Sequence, residues 1–535
     1  MRSRLMSRRR FFGLGGTSAA AVVLGTGVLG GESAAARTLR KSNPFTLGVA
    51  SGDPLPHGFV LWTRLAPEPF AADGGGGMPS HSVRVEYEVA RDERFQSVVR
   101  RGAAVASPEL GHSVHPEVHG LEPDREYFYR FRAGGEISPV GRTRTTPAAA
   151  SMPRELNFAF TSCAAWHDGY FTAYDHMAEE DLDLIVHLGD YIYELEINAA
   201  NNQRAEAAPP QLGTEAFDLA RYRLQYSFYK AEEPLRKAHA RFPWIHTLDD
   251  HEVVNDWAAD KVLRGRHPNP DPVEFAKRRT AAFQAFYENL PLRSAQLPSG
   301  TRIRLHRRLP YGRLADITMI DTRQYRDPQP CNHGNGTGKT TGCEERFDTD
   351  RSILGAAQRD WLVEEFSRSR AHWQILGNQA PMAQTDEDPG PGQLLSLDPW
   401  DGYVADRDRV LAAADERGVR NLVVITGDRH TNYALDLKAD YDEPDSRTVA
   451  TEFVGTSVTS GRDGADIDAA GQAYLAANPH LKFYNFQRGY VRVNVNSERW
   501  RSDFRVMPYV TKPGAPISTR ASYVVEDQRP GAKPA

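Results

Sequence analysis

The sequence predicts an α/β core preceded by an all-β domain, and three observations carry that reading. Strict apolar–polar alternation marks the strands before residue 150. After it, short apolar runs end again and again in an acidic or amide residue. The stretches between those runs have helical composition and length. A chain of 535 residues exceeds one ordinary core, so more than one domain is expected. Hydrophobic residues at 40% and charged residues at 25% fit a soluble globular protein. The net charge of −5 offers no basic surface of the kind nucleic acid selects, so no specific nucleic-acid binding is expected.

Residues 1–36 read as a signal peptide. Ser7-Arg8-Arg9-Arg10-Phe11-Phe12 is the basic start, Gly13 to Gly31 a weakly apolar middle, and Ser33-Ala34-Ala35-Ala36 a small-residue cleavage site. The alternative is a membrane anchor, but the middle is short and glycine-rich beside the roughly 20 strongly apolar residues of a spanning helix. The paired arginines before two phenylalanines resemble a twin-arginine leader. That resemblance implies a secreted, extracytoplasmic protein exported in the folded state by the twin-arginine translocon.

Residues 37–150 form the all-β part. Val83 to Val89 alternates as a half-buried strand does, and Tyr127-Phe128-Tyr129-Arg130-Phe131 is a second strand, entered through the turn Gly120-Leu121-Glu122-Pro123. The turn followed by tyrosine resembles immunoglobulin and fibronectin-type sandwiches, in which that tyrosine packs against the turn. Thr146 to Ala150 is the exit linker.

Residues 151–527 carry the α/β rhythm, and 528–535 read as a loose tail. Leu156 to Phe160 is a strand, followed by a helix around Thr172 to Glu180. Leu184 to Leu188 ends in Gly189-Asp190, and Trp244 to Leu248 in Asp249-Asp250-His251. Ile317 to Ile320 ends in Asp321, Trp373 to Leu376 in Gly377-Asn378, and Leu422 to Thr426 in Gly427-Asp428. Open α/β sheets place their sites beyond the carboxyl ends of strands. Recurrent metal-type residues at those ends therefore form a constellation: Asp190, Asp250, Asn378, Asp428 and His430, with Cys163 just past the first strand. Of three cysteines, Cys331 and Cys343 flank a Gly/Thr-rich stretch and are expected to be disulfide-bonded, worth about 3 kcal/mol in the chain-entropy model. Cys163 is then a lone thiol that needs a role.

Carboxylate and amide oxygens suit hard divalent cations, and thiolate, phenolate and imidazole suit iron. Phosphoester hydrolysis commonly uses two metals about 3.5–4 Å apart with a shared carboxylate, and Asp190 is the natural bridge. His251 either orients ligands or touches metal or substrate. Arg323 and Arg429 either fork a phosphate, as catalytic residues, or serve structural ion pairs.

These runs, with Gly48 to Pro54, Leu61-Trp62-Thr63-Arg64, Asp321-Thr322-Arg323-Gln324-Tyr325, Trp400-Asp401-Gly402-Tyr403 and Glu452 to Ser457, occur in an order that resembles the PhoD family of alkaline phosphatases and phosphodiesterases, within the calcineurin-like metallophosphoesterases. The family includes secreted phospholipase D of the type without the HKD motif. The resemblance implies an α+β sandwich metallophosphoesterase core. It also implies Fe(3+) held by Cys163, Asp190, Tyr193 and His430, and Ca(2+) on the Asp190 side with Asp250, Asn378 and Asp428; Zn(2+) is the less favoured ion. The implied activity is hydrolysis of phosphomonoesters and phosphodiesters by metal-bound hydroxide, on a small molecule, a teichoic-acid-like polymer or a phospholipid, by a monomer. The alternatives are phospholipase D action on lipid head groups and a cell-wall-binding protein with a degenerate catalytic domain. A serine hydrolase is excluded, since no Gly-x-Ser-x-Gly elbow lies between a strand and a helix.

Overall fold

The computed structural model describes residues 43–263, 266–333, 338–443 and 445–535, so the leader expected at 1–36 lies outside the described residues. Two mixed sheets face one another. The first is an 11-stranded sheet whose centre is Leu156–Thr161, Leu184–His187 and Pro243–His246, all parallel. The second has seven strands around a parallel centre of Ala315–Met319, Trp373–Asn378, Leu422–Thr426 and Thr448–Val454.

Most of these central strands, among them Leu184–His187, Pro243–His246, Ala315–Met319 and Leu422–Thr426, are buried along their whole length, which is why they read as unbroken apolar runs rather than alternating ones. Their facing sides interlock: Phe158, Phe160, Val186 and Ile245 of the first sheet share one core with Ile317, Ile375, Ile425 and Phe453 of the second. Helices Thr172–Glu179, Leu219–Lys230, Glu233–Arg241 and Pro272–Asn289 cover the outside of the first sheet. Gly355–Arg368, Val404–Glu416 and Ala469–Ala477 cover the second. The longest helix starts where its sequence says it should: Asp271 accepts from the backbone N–H of Val273 and Glu274, and Pro272 takes the first turn. The result is a four-layer α/β/β/α sandwich.

The strands before residue 147 are all β, as expected, but they do not stand apart. Val98–Ala106, Val83–Ala90, Glu126–Ala133, Glu136–Ile137 and Gly141–Arg144 make a separate five-stranded sheet. Val49–Leu55 and Gly58–Arg64 instead extend the large sheet, with Val49–Leu55 parallel to Pro243–His246. Both are buried almost throughout and need cover on two faces. One face packs on the small sheet through Val49, Phe59 and Leu61 against Val85, Tyr127 and Tyr129. Tyr127 plays the role its turn implied: its hydroxyl accepts from Glu122 N at 3.1 Å.

The expected tail is a strand. Arg529–Pro534 pairs antiparallel with Ser518–Glu526 at the edge of the large sheet. Its proline and glycine suggest a coil, but an edge strand tolerates both, since one side of its backbone needs no partner. Cys331 and Cys343 form the expected disulfide.

Candidate metal centre and active site

The carboxyl ends of the parallel strands of both sheets converge on one cleft. Ser162, just past Leu156–Thr161, makes a β-bridge with Ser457, just past Thr448–Val454, and so ties the two sheets together there. In the turns at this end, Cys163 (φ 59°), Asp190 (φ 54°), Asp428 (φ 63°) and His430 (φ 55°) all adopt the left-handed conformation. Non-glycine residues seldom do so, at a cost of order 1–3 kcal/mol each, and strain of this kind collects at functional sites. The reversal of the chain turns each side chain back over the strand ends.

The donors form overlapping groups, in each of which the ligand atoms lie within 4.8 Å of one another: Cys163, Asp190 and His430; Asp190, Asp250 and His251; and Asp249, Asp250 and Asp428. Tyr193 joins the first, its hydroxyl 3.2 Å from Asp190 Oδ2 and 3.1 Å from His430 Nε2. Asp190 belongs to two of these groups.

The frame behind these donors is hydrogen-bonded. Glu252 accepts from the backbone N–H of Asp190 (3.0 Å), Tyr191 (2.6 Å) and Asp249 (2.7 Å), locking two strand-end turns together. His251 donates its backbone N–H to Asp190 Oδ1 at 3.1 Å, and its Nδ1 lies 2.6 Å from Glu194 Oε2. Glu194 thus holds the imidazole by Nδ1 and leaves Nε2 on the cavity side.

The electrostatics are those of a site built for positive charge. Burial, reinforced by Asp250, holds the Asp190 carboxyl well above the usual range. Burial and the neighbouring Asp190 likewise push the Cys163 thiol and the Tyr193 phenol well up. Asp428 is pushed up to about 7, burial again leading. Burial works against ionised Asp250 too, but Arg323 and His251 outweigh it and hold its pKa down. His251 is held well above an ordinary imidazole: burial opposes its charge, and Glu194, Asp250 and Asp190 overcome that. The buried oxygens Asp249 Oδ2 and Asp250 Oδ1 have no hydrogen-bond partner. Such atoms are expensive unless something positive meets them, so the donor set fits metal ions.

Two expectations are corrected. Asn378 is fully buried and does not line the cavity: its Oδ1 accepts from Trp400 Nε1 (3.1 Å) and its Nδ2 donates to Ala380 O (2.5 Å), so it ties down the Trp400 turn. Arg323, expected as a catalytic fork, is also fully buried. Its Nε donates to Asp249 (2.5 Å) and its Nη1 to Asp398 (3.0 Å), with Nη2 3.7 Å from both Asp250 and Asp428. It is counter-charge beneath the carboxylates. Arg429, by contrast, leaves the centre from between Asp428 and His430 and reaches the rim. Sequence reasoning missed Asp249, Glu194, Glu252, Asp256, Asp398 and Lys339. The acidic run Asp249 to Glu252 was a usable signal; Asp398 sits on a loop and Lys339 on a two-residue strand, with no pattern to mark either.

Above the donors lies an open cavity of about 350 Å³, lined by Asp190, Asp250, His251, Asn255, Asp256, Lys339, Ser396, Asp398, Pro399, Asp428, Arg429 and His430. Residues 158–504 match the family of PhoD-like phosphatases, and 31–147 match the N-terminal domain of PhoD-like phosphatases. The chain belongs to the PhoD-like phosphatase family. It is 46% identical over 492 residues to alkaline phosphatase D of Bacillus subtilis (strain 168), covering 92% of this chain and 82% of that protein. A solved structure of PhoD superposes with a TM-score of 0.87 at 44% identity, covering 92% of each chain. As a PhoD-like phosphatase, the protein is a hydrolase of phosphoric esters, and its N-terminal strands are the family's own N-terminal domain.

Proposed function

We propose that this PhoD-like phosphatase is an exported enzyme that hydrolyses phosphomonoesters and phosphodiesters with iron at Cys163, Asp190, Tyr193 and His430. In this reading calcium is held by Asp190, Asp250 and Asp428, with Asp249 close by. The observation that carries it is the sharing of Asp190 between two donor groups, one with thiolate and phenolate and one all carboxylate and imidazole. When bound, such ions supply Lewis acidity and an activated water nucleophile. The chain's own groups do the rest. Cys163, Tyr193 and Asp190, whose protons burial chiefly retains, would hold the ions as thiolate, phenolate and carboxylate. His251, held charged by Glu194, presents Nε2 as the proton donor to the leaving oxygen. Arg323 balances Asp249 and Asp250 from below.

The cavity lining is polar but for Pro399 among the described residues. That favours a hydrophilic phosphoester over a lipid, whose chains need apolar cover. Among the described residues no helix is long and apolar enough to cross a membrane, and export rests on the Arg8-Arg9-Arg10 leader. The test is turnover of p-nitrophenyl phosphate and bis(p-nitrophenyl) phosphate before and after removal of the ions by chelators, and after adding them back. Loss and recovery on both substrates supports the reading; activity unchanged after exhaustive chelation contradicts it.

A further inference from the structure

Arg488 is a buried cation that the chemistry at the ions does not use. It is fully buried, and its hydrogen bonds go to neutral acceptors. Nη1 donates to His430 O at 2.6 Å, Ser457 Oγ at 2.8 Å and Ser460 O at 3.0 Å, and Nη2 donates to Phe486 O at 2.8 Å. The acid that acts on it most strongly, Asp168, is engaged elsewhere, by the Gly461 N–H at 2.8 Å and by Arg462 at 3.5 Å. Burial lowers the Arg488 pKa to about 10, so the side chain is still charged at neutral pH. A charge buried on neutral acceptors alone is expensive. Two of those acceptors belong to the turns behind the first donor group.

Topology explains the reach. Arg488–Val495 runs antiparallel to Leu156–Thr161 with Val491 opposite Phe160, and extending that register brings Arg488 level with Cys163. From the first sheet the guanidinium crosses to the second. His430 O accepts from Nη1 and also from the Thr456 hydroxyl at 3.1 Å, and a carbonyl held from two sides fixes the left-handed turn at His430 (φ 55°). Ser460 is the other end of the clamp: Ser460 N and Thr459 N both donate to Cys163 O, at 3.3 and 3.4 Å. One guanidinium thus joins His430 of the second sheet to Cys163 of the first. The loop closes tightly on it, since a side chain at Gly464 would collide with Phe486 O and stand 3.0 Å from Nη2. The all-carboxylate group is held by other bonds: Gly427 N donates to Gln379 O at 3.0 Å just ahead of Asp428, and Glu252 holds the Asp249 N–H at 2.7 Å.

We propose that Arg488 is the positioning residue of the Cys163, Asp190, Tyr193 and His430 group, holding imidazole and thiol in register across the two sheets and so setting the affinity of that group for a transition-metal ion. This rests on the metal reading above and adds a residue to it. Metal-free protein is titrated with cobalt(II) and, separately, with calcium. A cobalt–thiolate bond absorbs in the near ultraviolet and reports Cys163, the free cysteine, whatever ion the protein carries natively. Calcium binding is followed by calorimetry. The unaltered protein, Arg488→Met and Arg488→Lys are compared.

Arg488→Met should weaken cobalt binding by roughly tenfold or more, the usual effect of losing a group that orients a ligand, and should leave calcium affinity close to that of the unaltered protein. Arg488→Lys keeps a charge but not the planar fork that spans both turns. It should lose nearly as much cobalt affinity and, as the milder change, carries the comparison where Arg488→Met does not fold. Cobalt affinity unchanged in the variants, full recovery with lysine, or equal losses of cobalt and calcium each overturns the proposal, and so does a missing thiolate band in the unaltered protein. Iron in the unaltered protein is measured alongside by elemental analysis. Its absence contradicts the proposed iron site, while the cobalt comparison is read without reference to the native ion, so the two ideas fail separately.

Discussion

At the scale of single residues, the site is made by side chains that are costly where they stand. Cys163, Asp190, Asp428 and His430 hold left-handed backbone conformations, and burial, with acidic neighbours, favours the protonated forms of Cys163, Asp190 and Tyr193. Two predictions belong here. Replacing Tyr193 by Phe should abolish the visible absorption of the iron-loaded protein, since the phenolate–ferric bond is its source; a band that survives would remove Tyr193 from the ligand set. Arg323→Met should destabilise the metal-free protein by about 3–5 kcal/mol, the usual cost of stranding buried carboxylates. It should cost the loaded protein much less, because the ions replace the lost charge. Thermal unfolding of both forms is the check, and equal losses would contradict this role.

The donor groups at the cleft were legible because metal-type residues followed apolar strands, and Cys163 because it lacked a cysteine partner. Arg323 and Asn378 were misjudged for one reason. Sequence shows that a donor stands at a strand end but not which way it points, and here Asp249, Asp398 and Trp400 turn both inward.

At the scale of elements, period and composition told strands from helices wherever burial was uniform, and failed where an edge or a neighbour changed the rules. Val49–Leu55 and Gly58–Arg64 read as part of a separate domain because their partner strand, Pro243–His246, lies far away in the chain. Residues 528–535 read as a tail because they end the chain, yet Arg529–Pro534 is an edge strand, which tolerates its proline and glycine. That strand does structural work. Ala532 is 7% exposed, its N–H donates to Asp436 Oδ1 at 3.0 Å, and Gly531 N donates to Thr451 at 2.9 Å. Deleting residues 528–535 should therefore lower the unfolding midpoint in urea, whereas a true tail would leave it unmoved. The Cys331–Cys343 loop gives a second test at this scale. Changing both cysteines to serine should cost about 3 kcal/mol by equilibrium unfolding.

At the scale of the whole molecule, the four layers bury more than apolar residues. His187, His239 and His246 lie between the first sheet and its helices, with Lys230 and Tyr191 among them. Burial lowers the pKa of all three histidines from the ordinary 6.5, His187 to about 3 and the other two well down. In the unfolded chain they take up protons near 6.5; in the folded protein they stay neutral until much lower pH. Their contribution is thus full above about pH 6.5 and is lost as pH falls towards the folded values. Urea midpoints measured across that window should fall steeply with acid, and substituting the three histidines together by residues that do not titrate should flatten the slope.

In the proposed function one carboxylate, Asp190, is shared between two kinds of ion. Elemental analysis of the exported protein, purified without added metal, tests that most directly. About one iron and at least one calcium per chain, both lost on replacing Asp190 by Ala, is the result expected. A protein that holds no metal, or that holds zinc in the place of iron, would contradict the thiolate–phenolate centre on which the proposed function is built.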